Sequence, residues 1–190
     1  MVSPLKPLCH HPGYSNRARL FRMKIVLATP LYPPDLGGSA PYIKELAERL
    51  SSTHQVTILT YGRLPEQVPG VHITAVDKRR PLPIRLIAYT AALWSAIRHA
   101  DVVYLQNGPS VEIPLRLANF FLRRRVVFGL SDTKHLAQKQ SSIAAPRVTS
   151  FPPPRPEILP FAPRPDEAFA TYEQAWDAHL RKLEQLFNHD

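Results

Sequence analysis

The chain has 190 residues, enough for one domain and an additional segment but too few for two ordinary catalytic domains. Hydrophobic residues make up 44% and charged residues 21%, which excludes a disordered chain. No apolar run reaches the length of a membrane-spanning helix. The single cysteine, Cys9, excludes an internal disulfide framework and fits a reducing compartment. We therefore expect a cytoplasmic protein, with the inner face of the membrane as the alternative location.

The net charge of +9 is unevenly distributed. Residues 1–22 carry four basic and no acidic groups, and residues 23–135 carry fourteen basic against eight acidic groups. Eight of the 21 prolines cluster within 136–165. We predict a basic, disordered arm at 1–22, an α/β domain at 23–135, a proline-rich linker at 136–165 and a helix at 166–190. For the arm, a translation start that truly lies at Met23 is favoured over a targeting segment.

Strands and helices alternate along the predicted domain. Short apolar, β-branched runs predict strands, and apolar residues at intervals of three and four predict helices. In chain order, these elements are a strand at 24–29, a helix with Ile43, Leu46, Ala47 and Leu50 on one stripe, strands at 55–60 and 71–76, a helix at 84–98, a strand at 101–106, a helix at 111–122 and a strand at 125–130. This order is typical of a Rossmann-like α/β fold, in which helices cover both faces of a parallel sheet.

The terminal helix is predicted to be amphipathic, with Asp166 as its N-cap. Its apolar stripe consists of Phe169, Tyr172, Trp176, Leu180, Leu183 and Phe187. We expect this stripe to be buried on the sheet or helices of the domain, or else on a partner.

The loop after the first strand is the most distinctive candidate site. Gly37 and Gly38 precede Ser39 and a helix, so backbone amides there can approach an anion such as a diphosphate. The pattern is neither the dinucleotide fingerprint GxGxxG nor a P-loop, which argues against classical NAD binding and ATP hydrolysis. The alternative is that the glycines only turn the chain and Ser39 caps the helix.

The segment from Met23 to Leu50, MKIVLATPLYPPDLGGSAPYIKELAERL, resembles the opening of the family 4 glycosyltransferases. In those enzymes a strand leads into a loop of the type FYPPxxGG, and a helix with the pattern xYxxELAxxL follows. The corresponding residues here are Tyr32, Pro33, Pro34, Gly37, Gly38, Tyr42, Glu45, Leu46, Ala47 and Leu50. The resemblance continues through HQVTILTYG and HADVVYLQNG to about residue 135.

The resemblance implies the N-terminal, acceptor-side half of a two-domain GT-B enzyme, which transfers a sugar from a nucleotide-sugar, usually with retention. It implies that Gly37, Gly38 and Ser39 hold the diphosphate of the donor. Relatives contact the acceptor with a His-containing segment where this chain has Tyr104, Gln106 and Asn107, so we expect Gln106 and Asn107 to be acceptor-binding residues or loop caps.

Asp132 and His135 follow the predicted fifth strand and are the candidates for catalytic residues. The alternative for this pair is a solvated loop without a catalytic role. We expect no metal and no permanently bound cofactor; a nucleotide-sugar would enter as the donor substrate.

Relatives also have a second nucleotide-binding domain with a paired-glutamate motif, which is not recognisable in these 190 residues. We therefore expect a glycosyltransferase-like domain that is incomplete for catalysis on its own. The alternatives are a non-catalytic binding or membrane-anchoring subunit of a split glycosyltransferase, and an inactive truncated remnant. A donor-domain protein or a second copy of the chain would then be the partner.

The segment 78–98, KRRPLPIRLIAYTAALWSAIR, combines three adjacent cations with a helix that is apolar nearly all round. Tyr89 and Trp94 suit a membrane interface, and Arg123–Arg125 add a second basic cluster. Peripheral membrane contact is one interpretation, and a helix buried against the sheet is the other. Specific nucleic-acid binding is not expected, because no recognition module accompanies the positive charge.

Overall fold

The computed structural model describes residues 23–35, 39–106, 108–129, 146–148, 152 and 165–188, with the side chains of 147 and 165–169 excepted. Six parallel strands form one sheet, and their spatial order is β3-β2-β1-β4-β5-β6. The strands are β1 (Lys24–Ala28), β2 (Gln55–Tyr61), β3 (Val71–Val76), β4 (Val102–Gln106), β5 (Arg125–Gly129) and β6 (Arg147–Val148). The helices are α1 (Ser39–Leu50), α2 (Leu82–Ile97), α3 (Pro109–Leu122) and α4 (Pro165–Asn188). The predicted Rossmann-like α/β fold is confirmed.

Two hydrophobic cores lie on opposite faces of the sheet. Successive side chains of a strand point to opposite faces. Ile25 and Leu27 of β1 therefore enter the core formed with α1 and α4. Val26 and Ala28 enter the core formed with α2 and α3. Because both faces are covered, a central strand such as β1 consists of an unbroken apolar run rather than an alternating pattern.

The sixth strand lies within the predicted proline-rich linker at 136–165. Arg147 and Val148 pair with Phe128 and Gly129 of β5, and the backbone N–H of Phe128 donates to the carbonyl of Pro146 at 2.8 Å. Neither residue of this strand is a proline, so both retain the N–H that a ladder needs. The two residues thus extend the sheet by one short edge strand.

The terminal helix α4 packs on the same face of the sheet as α1. Trp176 is 2% exposed and stacks on Tyr42 of α1, with ring centroids 5.6 Å apart. At the other end of α4, the Arg125 guanidinium donates to the Phe187 carbonyl at 2.6 Å. The described part of the apolar stripe, from Tyr172 to Phe187, is therefore packed on the domain rather than left for a partner. The helix begins at Pro165, which places Asp166 inside the first turn and not at the predicted N-cap.

Candidate functional site

The strand order reverses between β1 and β4, because β1 leads into α1 on one face of the sheet and β4 leads into α3 on the other. In open parallel sheets the crevice at such a reversal, beyond the carboxyl ends of the strands, is the usual ligand site. Ala28 pairs with Leu105, so the next residues, Thr29 and Gln106, lie side by side at this crevice. We call these two residues and Gly108 the switch-point edge.

The side chains of Thr29 and Gln106 meet at this edge, and both residues are buried. The Thr29 hydroxyl lies 2.9 Å from Gln106 Oε1 and 2.7 Å from the carbonyl of Leu31, but it has only one proton to donate. Gln106 Nε2 has no hydrogen-bond partner among the described residues. Exchanging the two carboxamide atoms satisfies the Thr29 pair but leaves the oxygen free instead. In either orientation one amide atom of Gln106 is buried without a hydrogen-bond partner among the described residues.

Two helices begin at this end of the sheet. Gly108 is the N-cap of α3 and makes no side-chain capping bond, and Ser39 is the first residue of α1. A Cβ at Gly108 would lie 3.2 Å from Cγ of Pro30, so a larger residue would push the two loops apart. The free amides of helix N-termini favour negative charge. The Gly108 N–H already donates to Glu112 Oε1 at 3.4 Å and Pro109 has no N–H, so the start of α1 suits an anion better than the start of α3.

The loop that follows β1 is fixed at its start by Tyr32. This side chain is 1% exposed and packs in the core beneath α1. Burial, helped by the carboxylates of Glu66 and Glu48, raises the pKa of Tyr32 to about 12. Further along the loop, Asp35 forms an ion pair with Lys78, the residue that follows β3 by two positions. These contacts fix the described start of the loop in place.

A cavity of about 220 Å³ opens beside β2 and β3, away from the switch-point edge. Arg63, Asp77 and Arg80 line it, and Arg63 Nε lies 3.4 Å from a carboxylate oxygen of Asp77. Arg63 and Asp77 therefore neutralise each other, and Arg80 is the remaining charged side chain at the cavity. The switch-point edge is the stronger candidate because it has an unsatisfied buried amide and helix N-termini.

Of the predicted site residues, the structure describes Gln106 and Ser39, and it places both at the carboxyl end of the sheet. Gly37, Gly38, Asn107, Asp132 and His135 lie outside the described residues. The contact between Thr29 and Gln106 was not predicted. The sequence shows that β1 and β4 are each followed or ended by a polar residue, but it does not show that the two strands pair.

Tyr104 does not belong to the switch-point edge, although it lies two residues before Gln106. Its side chain is fully buried, and its hydroxyl lies 3.1 Å from that of Tyr42, which in turn is 2.7 Å from Nε2 of His179 in α4. Burial raises the pKa of Tyr104. Gly129 faces the Tyr104 ring, where a Cβ would overlap the hydroxyl and lie 2.5 Å from Cζ. The network joins β4, α1 and α4, so Tyr104 has a structural role.

The predicted interface residue Tyr89 is also a core residue. It is fully buried, stacks on Tyr61 at 4.3 Å between ring centroids, and donates its hydroxyl to the Leu59 carbonyl at 3.1 Å. Of the two interpretations of segment 78–98, Tyr89 fits the helix buried against the sheet and does not reach a membrane interface, whereas Trp94 is 38% exposed. Within the described ranges, no helix is long and apolar enough to cross a bilayer. Those ranges also contain no cluster of three or more potential metal-ligating side chains.

The model of the glycosyl transferase 4-like domain matches residues 37–180, which is most of the chain. The chain therefore belongs to the glycosyl transferase 4-like domain family. None of the curated proteins compared with the sequence matches it significantly.

Among solved structures, Anabaena Alr3699/HepE in complex with UDP and glucose has 16% sequence identity and a TM-score of 0.44. The similarity covers 62% of this chain and 32% of HepE, so the chain spans about a third of that protein. HepE in complex with UDP-glucose gives the same values. A mutated uronate dehydrogenase has 13% identity and a TM-score of 0.39, with 58% and 40% of the two chains covered.

Proposed function

We propose that this domain supplies the acceptor side of a nucleotide-sugar-dependent glycosyl transfer, and that a separate nucleotide-binding domain completes the site. The family match over 37–180 is the observation that carries the proposal. The switch-point edge supports it, because one amide atom of the buried Gln106 has no hydrogen-bond partner among the described residues, and a sugar hydroxyl is a group that could supply one. Asn107 follows it directly and is the second acceptor-binding candidate.

Transfer from a nucleotide-sugar leaves a diphosphate, and the negative charge that develops on it must be stabilised. We assign this role to the amides around Gly37, Gly38 and Ser39, assisted by the N-terminus of α1. Asp132 and His135 follow β5 in sequence and are the candidates for the groups that act on the reacting hydroxyl. The nucleotide-binding domain would hold the base and ribose.

The requirement for a second domain is tested by calorimetry of the 190-residue chain with UDP- and GDP-sugars. We expect no micromolar binding, because only one wall of the donor cleft is supplied here. Micromolar affinity for either nucleotide-sugar would overturn this part of the proposal and would mean that the chain binds the donor by itself.

The diphosphate role is tested by NMR of the ¹⁵N-labelled chain titrated with UDP at millimolar concentration. We expect saturable shifts of the amides of Ser39 and Ala40, the first two residues of α1, and their loss in the Gly37→Ala/Gly38→Ala variant. Gly62→Ala is the matched control, because a Cβ at Gly62 would meet nothing within 4 Å. If these amides do not respond to UDP, or respond equally in the double variant, the diphosphate does not bind at this loop.

A further inference from the structure

Helices α2 and α3 carry an unusual number of exposed apolar side chains. Within the described part of the chain, every exposed large hydrophobic residue except Leu64 lies on these two helices. We define the α2–α3 face as Ile84, Ile87, Trp94, Ile113, Leu117, Phe120 and Phe121. Ile87, Phe120 and Phe121 are each at least 70% exposed. Exposed apolar surface of this kind marks a site of interaction when it is contiguous.

The exposed side chains of the two helices meet in an aromatic cluster. Trp94 of α2 and Phe121 of α3 have ring centroids 5.8 Å apart, and Phe121 and Phe120 are 5.1 Å apart. Ile87 and Ile113, nearer the starts of the same two helices, are also exposed. The aromatic cluster therefore joins the exposed sides of the two helices.

Rotating the helices cannot bury this face, because their inner sides are already filled. Tyr89, Leu93 and Ile97 of α2 are fully buried against the sheet, as are Val111 and Leu115 of α3. Both helices are thus apolar on the inner and the outer side. Beyond the ring contacts among Trp94, Phe120 and Phe121, the outer residues remain 38–75% exposed, which indicates a surface that binds something else.

Positive charge surrounds the face. Arg79 and Arg80 precede α2, Arg98 follows it, and Arg116 and Arg123 lie on or just after the exposed side of α3. Among the described residues, no acidic side chain forms an ion pair with Arg98, Arg116 or Arg123. Residues 78–98 contain no acidic group, and α3 contains only Glu112.

We propose that the α2–α3 face docks on a membrane surface of anionic phospholipid. Apolar and aromatic side chains would enter the boundary between headgroups and acyl chains, and the surrounding arginines would meet the lipid phosphates. A second copy of the chain fits less well, because the arginines around one face would repel the arginines around the other. This inference does not depend on the proposed glycosyl transfer.

Vesicle flotation with the full 190-residue chain tests the proposal. Phosphatidylcholine vesicles are compared with vesicles that also contain phosphatidylglycerol. We expect at least tenfold stronger partitioning to the anionic vesicles, weakening as salt is added. The Phe120→Ser/Phe121→Ser variant should lower the partition coefficient at least tenfold, since two aromatic side chains lose their apolar contact. Leu64→Ser, which replaces an equally exposed residue elsewhere, should leave it unchanged.

A matched pair of charge variants separates docking through this face from general attraction of a basic chain. Arg116→Gln should weaken partitioning about fivefold. Arg181→Gln, on the exposed side of α4 at the opposite face of the sheet, should have little effect. Circular dichroism confirms that each variant remains folded.

Three results would overturn the proposal. The first is no binding to anionic vesicles. The second is binding that persists in Phe120→Ser/Phe121→Ser, which would place the contact elsewhere, such as in the basic residues 1–22. The third is a wild-type dimer in analytical ultracentrifugation that the same variant converts to a monomer, because a second copy would then cover the face.

Discussion

The packing of α4 on the domain can be tested by replacing Trp176 with alanine. The side chain is 2% exposed, stacks on Tyr42 and lies beneath the Arg49 guanidinium, 4.9 Å from the ring centroid. Removing a buried Trp side chain costs about 3–5 kcal/mol, because apolar contact is lost and a cavity remains. We expect Trp176→Ala to lower the free energy of unfolding by this amount.

Trp94→Ala is the matched control, because Trp94 is 38% exposed and its loss should cost no more than about 1 kcal/mol. Urea unfolding followed by far-UV circular dichroism gives both free energies. The chain has two tryptophans, so Trp94→Ala also leaves Trp176 as the single emitter. Its fluorescence should be blue-shifted in the folded chain and move to the red on unfolding. Equal costs for the two variants would refute the docking of α4 through Trp176.

Two further predictions concern buried tyrosines. Gly129→Ala should lower the free energy of unfolding by about 1–3 kcal/mol in urea, because the new Cβ overlaps the Tyr104 hydroxyl. Gly62→Ala should be neutral, because a Cβ there meets open space. A neutral Gly129→Ala would contradict the packing of Tyr104 against Gly129. Burial raises the pKa of both Tyr32 and Tyr61 to about 12, above the unfolded value of about 10. Between about pH 10 and 12 the unfolded chain loses its phenolic protons before the folded chain does. The urea midpoint should therefore fall as the pH rises over this range, and it should fall less steeply in Tyr32→Phe. Identical slopes of midpoint against pH in the wild type and Tyr32→Phe would show that Tyr32 titrates normally in the folded chain.

The amino-acid order is sufficient to predict the local elements of this domain. After the exposed Lys24, the run IVLA of the central strand β1 is apolar without alternation. Ile43, Leu46, Ala47 and Leu50 are all buried on α1, as their spacing indicated. Such periodicities act over a few residues, so they are readable without the fold. The motif around Tyr32 and Tyr42 also indicated the family, and the family match confirmed it.

The exposed and buried sides of α2 and α3 could not be assigned in the same way. Both helices are apolar on two sides, so the periodicity gave no reason to bury Tyr89 while leaving Phe120 and Phe121 in solvent. That choice depends on which sides meet the sheet and each other, which is a property of packing between segments distant in the chain.

The strand order decided the composition of the candidate site in the same manner. Thr29 and Gln106 are separated by 77 positions and become neighbours because β4, and not β3, pairs with β1 on that side. The edge strand β6 likewise forms because two residues between prolines reach β5. Local sequence patterns do not specify which strand will pair with which, so these contacts are determined by the tertiary arrangement alone.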